Sequence, residues 1–326
     1  MKSLRQTASK VAGRVIIVGL CSSCAAVYGQ QSAQDKDDQS QTPASLTVTG
    51  QNDVFSVKDV TSGDSELPGK WTWKIVLHDR ERNRDVDRFI SGYYNIVEGI
   101  RFCQNNLMIA RGGLRRGGTY LCLVDLVSGA TVEEIRTYGY TFSPSGRYIV
   151  YETHYPPHGL PETRRCILLL YDTQKSPSEN RVPGTTTFSK ENAGIPIFPR
   201  ANVEAKSYDI MLEEEHLCLS EFLWSPDEKR IVFIDYLDSN HTNYIVAITL
   251  TKDGEVRIAS QPIETDPLIK WDLVTTEQKR RELGERPIKL TARKLEWQDE
   301  DSVVLTQFFH EYFLPDTLVL KVPGGK

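Results

Sequence analysis

The chain has 326 residues, room for one large domain or two ordinary ones, and carries 39 basic against 44 acidic side chains, a formal charge of −5. So acidic a balance argues against nucleic acid as the partner, because phosphate binding needs a basic face.

The first 29 residues stand apart. Lys2, Arg5, Lys10 and Arg14 form a basic start, Val15 to Val27 is an apolar run too short to span a bilayer comfortably, and Val27-Tyr28-Gly29 offers a cleavage site before Gln30. Residues 1–29 therefore read as a secretory signal peptide, with a retained anchor helix as the alternative and lipid attachment at Cys21 or Cys24 a poorer fit to the flanking residues. Their removal takes away four basic and no acidic groups, leaving 35 against 44, a net charge of −9. A periplasmic or secreted protein with no membrane span after cleavage is expected. Residues 30–45, rich in Gln, Asp and Ser and without an apolar period, read as a disordered linker, and 46–326 as a single domain.

Leu46-Thr47-Val48-Thr49 and Val54-Phe55-Ser56-Val57 alternate like strands, and Trp71 to Leu77 is a strong strand followed by the charged turn Arg80-Glu81-Arg82-Asn83. From Phe102 onward one spacing recurs: an aromatic residue, a polar turn, then an aliphatic residue seven positions on that opens the next strand. Phe102 leads to Ile109, Phe142 to Ile149, Trp224 to Ile231 and Trp297 to Val304. A third apolar strand follows each pair, at Thr119 to Leu126, Cys166 to Tyr171, Tyr244 to Leu250 and Thr317 to Val322. Fourth strands are expected at Thr131 to Ile135, Asn180 to Pro183 and Glu255 to Gln261. Four strands in a period of about 40 residues is the pattern of propeller blades.

Two segments break the period. Gly184 to His216, with the proline-rich Ile195-Pro196-Ile197-Phe198-Pro199, reads as an insertion or a decayed blade. Glu264 to Leu290 holds one short helix, Thr276 to Leu283, with Thr275 and Gln278 as a capping box and Gly284 as the stop. The last unit lacks a fourth strand, and Leu46 to Thr49 is expected to fill the gap by pairing with Thr317 to Val322.

Trp224-Ser225-Pro226-Asp227 and Phe142-Ser143-Pro144-Ser145-Gly146 resemble the aromatic-Ser-Pro-Asp-Gly turn of the TolB-type propeller repeat, related in architecture to WD-repeat blades. The units at Phe102 and Trp297 lack the Ser-Pro pair and join by spacing alone. The resemblance covers about residues 97 to 322 and implies an all-β fold, a β-propeller-like array of about five blades, with a β-sandwich of repeated hairpins as the alternative. It implies no activity, since such blades serve scaffolds, ligand binders and enzyme subdomains alike.

Catalytic signatures are absent: there is no Gly-x-Ser-x-Gly elbow, phosphate-binding loop, dinucleotide glycine fingerprint or His-Glu-x-x-His. The loops between second and third strands are the polar ones. They carry Glu152, His154 and His158 in one unit, Asp235, Asp238 and His241 in the next, and His310 and Glu311 in the last, with Arg115 and Arg116 at the same place in the first. Four of the six histidines thus fall on one expected face, and histidine and carboxylate groups converging from several loops are what a ligand, metal or acid/base site needs. Ordinary loop polarity is the plain alternative, and Pro156, Pro157 and Pro161 already account for the shape of one loop. Arg111-Arg115-Arg116 and Lys279-Arg280-Arg281 read as solvated surface, and Cys103, Cys122, Cys166 and Cys218, all inside strand patterns, as buried thiols. The expectation is a non-catalytic binding or interaction module, without a cofactor, for a protein or a small-molecule or glycan ligand. The alternative is a hydrolase or lyase whose site is assembled from these loops.

Overall fold

The computed structural model describes residues 46–324, apart from 51, 68–69, 93, 105, 115–117, 156–164, 182–192, 200–215, 238–239, 252–254, 271–275, 279, 282–288, 291 and 309–315. The first 45 residues, with the expected signal peptide and linker, lie outside the described ones.

A short strand β1 (Thr47–Thr49) precedes a meander of β2 (Phe55–Leu67), β3 (Lys70–Asp79) and β4 (Arg84–Gly92), the first sheet. The second sheet follows with β5 (Tyr94–Phe102), β6 (Leu107–Leu114), β7 (Thr119–Asp125) and β8 (Thr131–Thr137). The third holds β9 (Tyr140–Phe142), β10 (Tyr148–Tyr155), β11 (Arg165–Asp172) and β12 (Ile195–Phe198). In the fourth, β13 (His216–Cys218) and β14 (Leu223–Trp224) both pair with β15 (Arg230–Leu237), beside β16 (Thr242–Leu250) and β17 (Val256–Ile263). The fifth is β18 (Ala292–Trp297), β19 (Ser302–Phe308) and β20 (Thr317–Lys321).

The two-residue period of a strand sends alternate side chains to opposite faces, and here both faces of the middle sheets are apolar. In β15, Ile231 and Phe233 pack toward the third sheet while Val232 and Ile234 pack toward the fifth. In β6 and β7, Met108, Ala110, Cys122 and Val124 meet the first sheet, and Ile109, Leu121 and Leu123 meet the third. Four apolar clusters therefore join the five sheets in series, each between consecutive members. This is an all-β, propeller-like array and not a two-sheet sandwich. The far faces of the terminal sheets instead carry ion pairs, Lys58–Asp85 and Lys74–Asp87 on the first and Lys294–Glu296 on the fifth, beside the exposed Phe89 and Val319.

The repeated aromatic closes each inner strand against the preceding sheet. Phe102 and Trp224 are buried in the seams before their own sheets, and Phe142 and Trp297 pack partly buried in theirs. Four residues after the aromatic, Asn106, Gly146 and Glu228 all adopt positive φ, at 55°, 77° and 58°. The left-handed residue turns the chain back so that the position after each aromatic donates its amide across the turn: Cys103 to Leu107, Ser143 to Tyr148 and Ser225 to Arg230.

Three expectations change. β1 does not pair with β20; it runs parallel to β5, with Thr47 opposite Gly99 and Thr49 opposite Arg101. Gly99 permits this approach, since a Cβ there would stand 3.2 Å from the Thr47 carbonyl oxygen, and Gly50, at φ +74°, then turns the chain toward β2. The fourth strand of the third sheet is β12, not Asn180 to Pro183. Asn180 is fully buried as a turn cap, its Oδ1 accepting the Asp172 amide at 2.8 Å and its Nδ2 donating to the Asp172 carbonyl at 3.0 Å. Pro196 is tolerated in β12 because an outer strand needs no donor on its open side. Part of the expected helix is seen at Glu277, Gln278, Arg280 and Arg281, with the Arg280 amide donating to the Thr276 carbonyl; Thr275 and Gly284 lie outside the described residues.

Candidate functional site

Because β6–β7, β10–β11, β15–β16 and β19–β20 are antiparallel pairs at equivalent places in their sheets, β6, β10, β15 and β19 finish at one common end, and their links to β7, β11, β16 and β20 emerge there. β13 begins at the same end, since His216 stands opposite Leu237. This loop-bearing end is where the sequence places its candidates. His158, Asp238, His310, Glu311, Arg115 and Arg116 lie outside the described residues, and His154 is described in its backbone alone, opposite Cys166. Glu152, Asp235 and His241 can be followed in full.

Asp235 continues the inward alternation Ile231, Phe233, Asp235, so a carboxylate stands in the seam between the third and fourth sheets. Burial of a charge in such a place demands a partner. His216 supplies it: its Nδ1 donates to Asp235 Oδ2 at 2.6 Å, with the Asp235 side chain 3% and the His216 side chain 14% exposed. A carboxylate accepts, so the proton of this hydrogen bond sits on Nδ1. Phe198 of β12 holds the ring from the other sheet, its ring centroid 4.9 Å away and the planes at 74°, and Phe198 in turn meets Phe233 edge-on at 5.1 Å. Glu152 of β10 shares the face of Val150 and so belongs to the same seam; it is 8% exposed. Its backbone is tied down, the carbonyl accepting the Thr137 hydroxyl at 2.7 Å and the amide donating to the Gly139 carbonyl at 2.7 Å.

His241 belongs to the other side of the fourth sheet. It is exposed, at φ +55°, with Nδ1 3.1 Å from the hydroxyl of Tyr236, whose buried ring carries the Lys289 ammonium 4.5 Å from its centroid. Tyr236 follows Ile234 on the face toward the fifth sheet. The structure thus brings Asp235 together with His216 and separates it from His241. Arg111, expected as solvated surface, is half-buried, with Nε 3.5 Å from Glu98 Oε2 and Nη1 donating to the Tyr140 hydroxyl at 3.2 Å.

Burial pushes the Cys103 thiol up to about 11 and the Cys122 thiol up to about 12, so neither is a nucleophile at neutral pH, whereas Cys218, expected to be buried, is only half-buried. Among the described residues no three His, Cys, Asp or Glu side chains group as a metal site would require, and no helix is long and apolar enough to cross a membrane. Sequence reasoning missed His216. The available signal was Asp235 itself, an acid at an inward position of an apolar strand, which requires a partner from a neighbouring strand.

No protein-family model matches the sequence, and no curated protein matches it. Among solved structures, the β-propeller domain of the Trilobed protease from Pyrococcus furiosus, described as having an open velcro topology, is similar at 9% identity and a TM-score of 0.35, over 78% of this chain and 63% of that one. Pyrococcus horikoshii acylaminoacyl peptidase follows at 11% identity and a TM-score of 0.31, over 73% of this chain and 33% of that one. The tricorn protease is similar at 12% identity and a TM-score of 0.29, over 84% of this chain and 36% of that one. The chain thus spans from a third to just under two thirds of the length of these structures.

Proposed function

We propose that the protein is an exported propeller module of the TolB type, periplasmic or secreted after removal of residues 1–29, that binds a protein or a small-molecule or glycan ligand at the loop-bearing end of its blades. The observation that carries this reading is the polar group set into the upper part of an otherwise apolar seam. Asp235, His216 and Glu152 occupy positions where apolar residues would pack at lower cost, and buried polar groups of that kind mark sites more often than they add stability. His216 brings to the end of this seam an imidazole, a group able to donate and to accept hydrogen bonds. The test is binding to an array of glycans and short peptides by the wild type, His216→Gln and Asp235→Asn, each checked for native circular dichroism. A ligand bound by the wild type and lost, at least tenfold, by both variants supports the reading, whereas a ligand held equally by all three moves recognition to another surface.

A hydrolase or lyase is the second reading, favoured by the same pair: a carboxylate that fixes the Nδ1 tautomer of a histidine prepares Nε2 to act as a general base. Turnover of a peptide, ester or glycoside by the wild type, falling by two or more decades in His216→Gln with a changed pH profile, would establish it. The same substrates left intact by the wild type return the site to binding alone.

A further inference from the structure

The fifth sheet is one strand short among the described residues, and its last strand is apolar at its centre. The third strands of the second and fourth sheets, β7 and β16, are buried over most of their length, since each lies between two others. The outer strand β8 faces solvent on one edge and carries charge there, at Glu133, Glu134 and Arg136, whereas the outer strand β17 carries only Arg257. Charge on an edge keeps it from recruiting a foreign strand. Among the described residues β20 pairs only with β19; it alternates exposed and half-buried, yet its centre is Leu318-Val319-Leu320 and its one charge is the terminal Lys321. Val319 is 52% exposed. Leu318 and Leu320 turn inward onto the core between the fourth and fifth sheets.

The sequence of this edge is symmetric in its chemistry. Antiparallel pairing of β20 with an identical strand, on a two-fold axis through Val319, sets Val319 against Val319, Leu318 against Leu320 and Thr317 against Lys321. Both strands then satisfy the backbone donors and acceptors along their open edge, and both leucine pairs lie on the core side of a continuous sheet. No charge meets a like charge. From this self-complementarity we propose that β20 is a homodimer interface, in which a second copy of this chain supplies the missing strand. Five residues a side make a small contact, so the dimer forms in a concentration-dependent equilibrium rather than as an obligate pair.

Sedimentation of the purified full chain over a wide dilution series tests the assembly, and cysteine cross-linking tests the register. The wild type should shift from monomer to dimer with concentration, and Val319→Lys, which places two ammonium groups in contact, should remain monomeric with an unchanged far-ultraviolet spectrum. Under mild oxidation Val319→Cys should cross-link into a dimer that reductant reverses, because directly opposed residues meet the roughly 5.5 Å Cα separation of a disulfide. Lys321→Cys should not, since the same register holds its two copies four residues apart along the ladder. A wild type monomeric at every concentration, a dimer indifferent to Val319→Lys, or cross-linking as ready at residue 321 as at 319 overturns the proposal.

Discussion

The two ends of the blades are built by different rules. At the turn end one arrangement repeats: the Ser143 hydroxyl accepts the Tyr148 amide at 3.1 Å, and the Ser225 hydroxyl accepts the Arg230 amide at 2.9 Å, each after a matching aromatic residue and before a matching left-handed one. Neighbouring turns are then tied together. Glu228 of the fourth sheet accepts the backbone amide of Ser145 in the third, and the Ser145 hydroxyl at 2.7 Å, while Arg230 donates to the Glu300 carbonyl of the fifth and lies 5.1 Å from the Trp297 ring centroid. At the loop end no pairing repeats from sheet to sheet among the described residues: His216 with Asp235, His241 with Tyr236 and Arg111 with Glu98 are three unrelated pairings. Repetition marks the residues that make the array, and irregularity marks the surface left open to specialise.

The strongest way to break that comparison is to remove an aromatic at the turn end. Trp224 is 6% exposed, stacks on Tyr148 with ring planes 14° apart, and offers its carbonyl to Trp297 Nε1 at 2.8 Å. Trp224→Ala should cost about 3 to 5 kcal/mol in chemical denaturation, as truncation of a large buried aromatic does. Trp297→Ala, at an equivalent but half-exposed position, should cost clearly less. Equal losses would mean that the two turns bear equal weight despite their different burial.

The turn serine comes next. Ser225 is buried, and its hydroxyl both accepts the Arg230 amide and donates to Asp227 at 2.6 Å. Ser225→Ala should cost about 1 to 3 kcal/mol, because the Arg230 amide loses its acceptor inside the turn. At the loop end His216→Gln keeps a donor for Asp235 and should cost less, so a larger loss there would make the His216 pair a fold element rather than a site.

What the sequence disclosed follows the same division. The turn end was legible because its rules are local: aromatic, serine, proline and left-handed residue sit within five positions of one another, and the following strand is continuous apolar sequence. The errors involve partners distant in sequence or set by a backbone approach. β1 chose β5 because Gly99, some fifty residues on, leaves room for it. Asn180, polar and just after a strand, reads as the next strand but is a buried cap, and the true outer strand begins fifteen residues later with a proline as its second residue. In the site, Asp235 and His241 are near in sequence and on opposite faces of one sheet, whereas His216 and Asp235 are nineteen residues apart and in contact. Loop position could be read along the chain, but pairing across a seam could not.

The smallest expected effect separates two turns that otherwise match. The third residue of the turn is Ser145 in one and Asp227 in the other, so only the second carries a carboxylate there. The Ser225 hydroxyl, and then Lys229 with its ammonium at 3.0 Å and its amide at 3.2 Å, outweigh desolvation and hold the Asp227 carboxyl down to about 2 from an ordinary 3.8. The folded value is depressed, so the stability this group contributes is fully present above the unfolded value near 3.8 and is lost as the pH falls toward the folded value near 2. Asp227 is 51% exposed, so solvent screening keeps the contribution small, well below what the shift alone would suggest. Asp227→Asn keeps an acceptor for Ser225 and removes the titration. Melting temperatures of wild type and variant, followed from neutral pH down to about pH 2, should therefore diverge most at neutral pH and converge as Asp227 protonates. A difference constant across that range would show that the carboxylate acts only as a neutral acceptor would, and that the two turns are alike in charge as well as in shape.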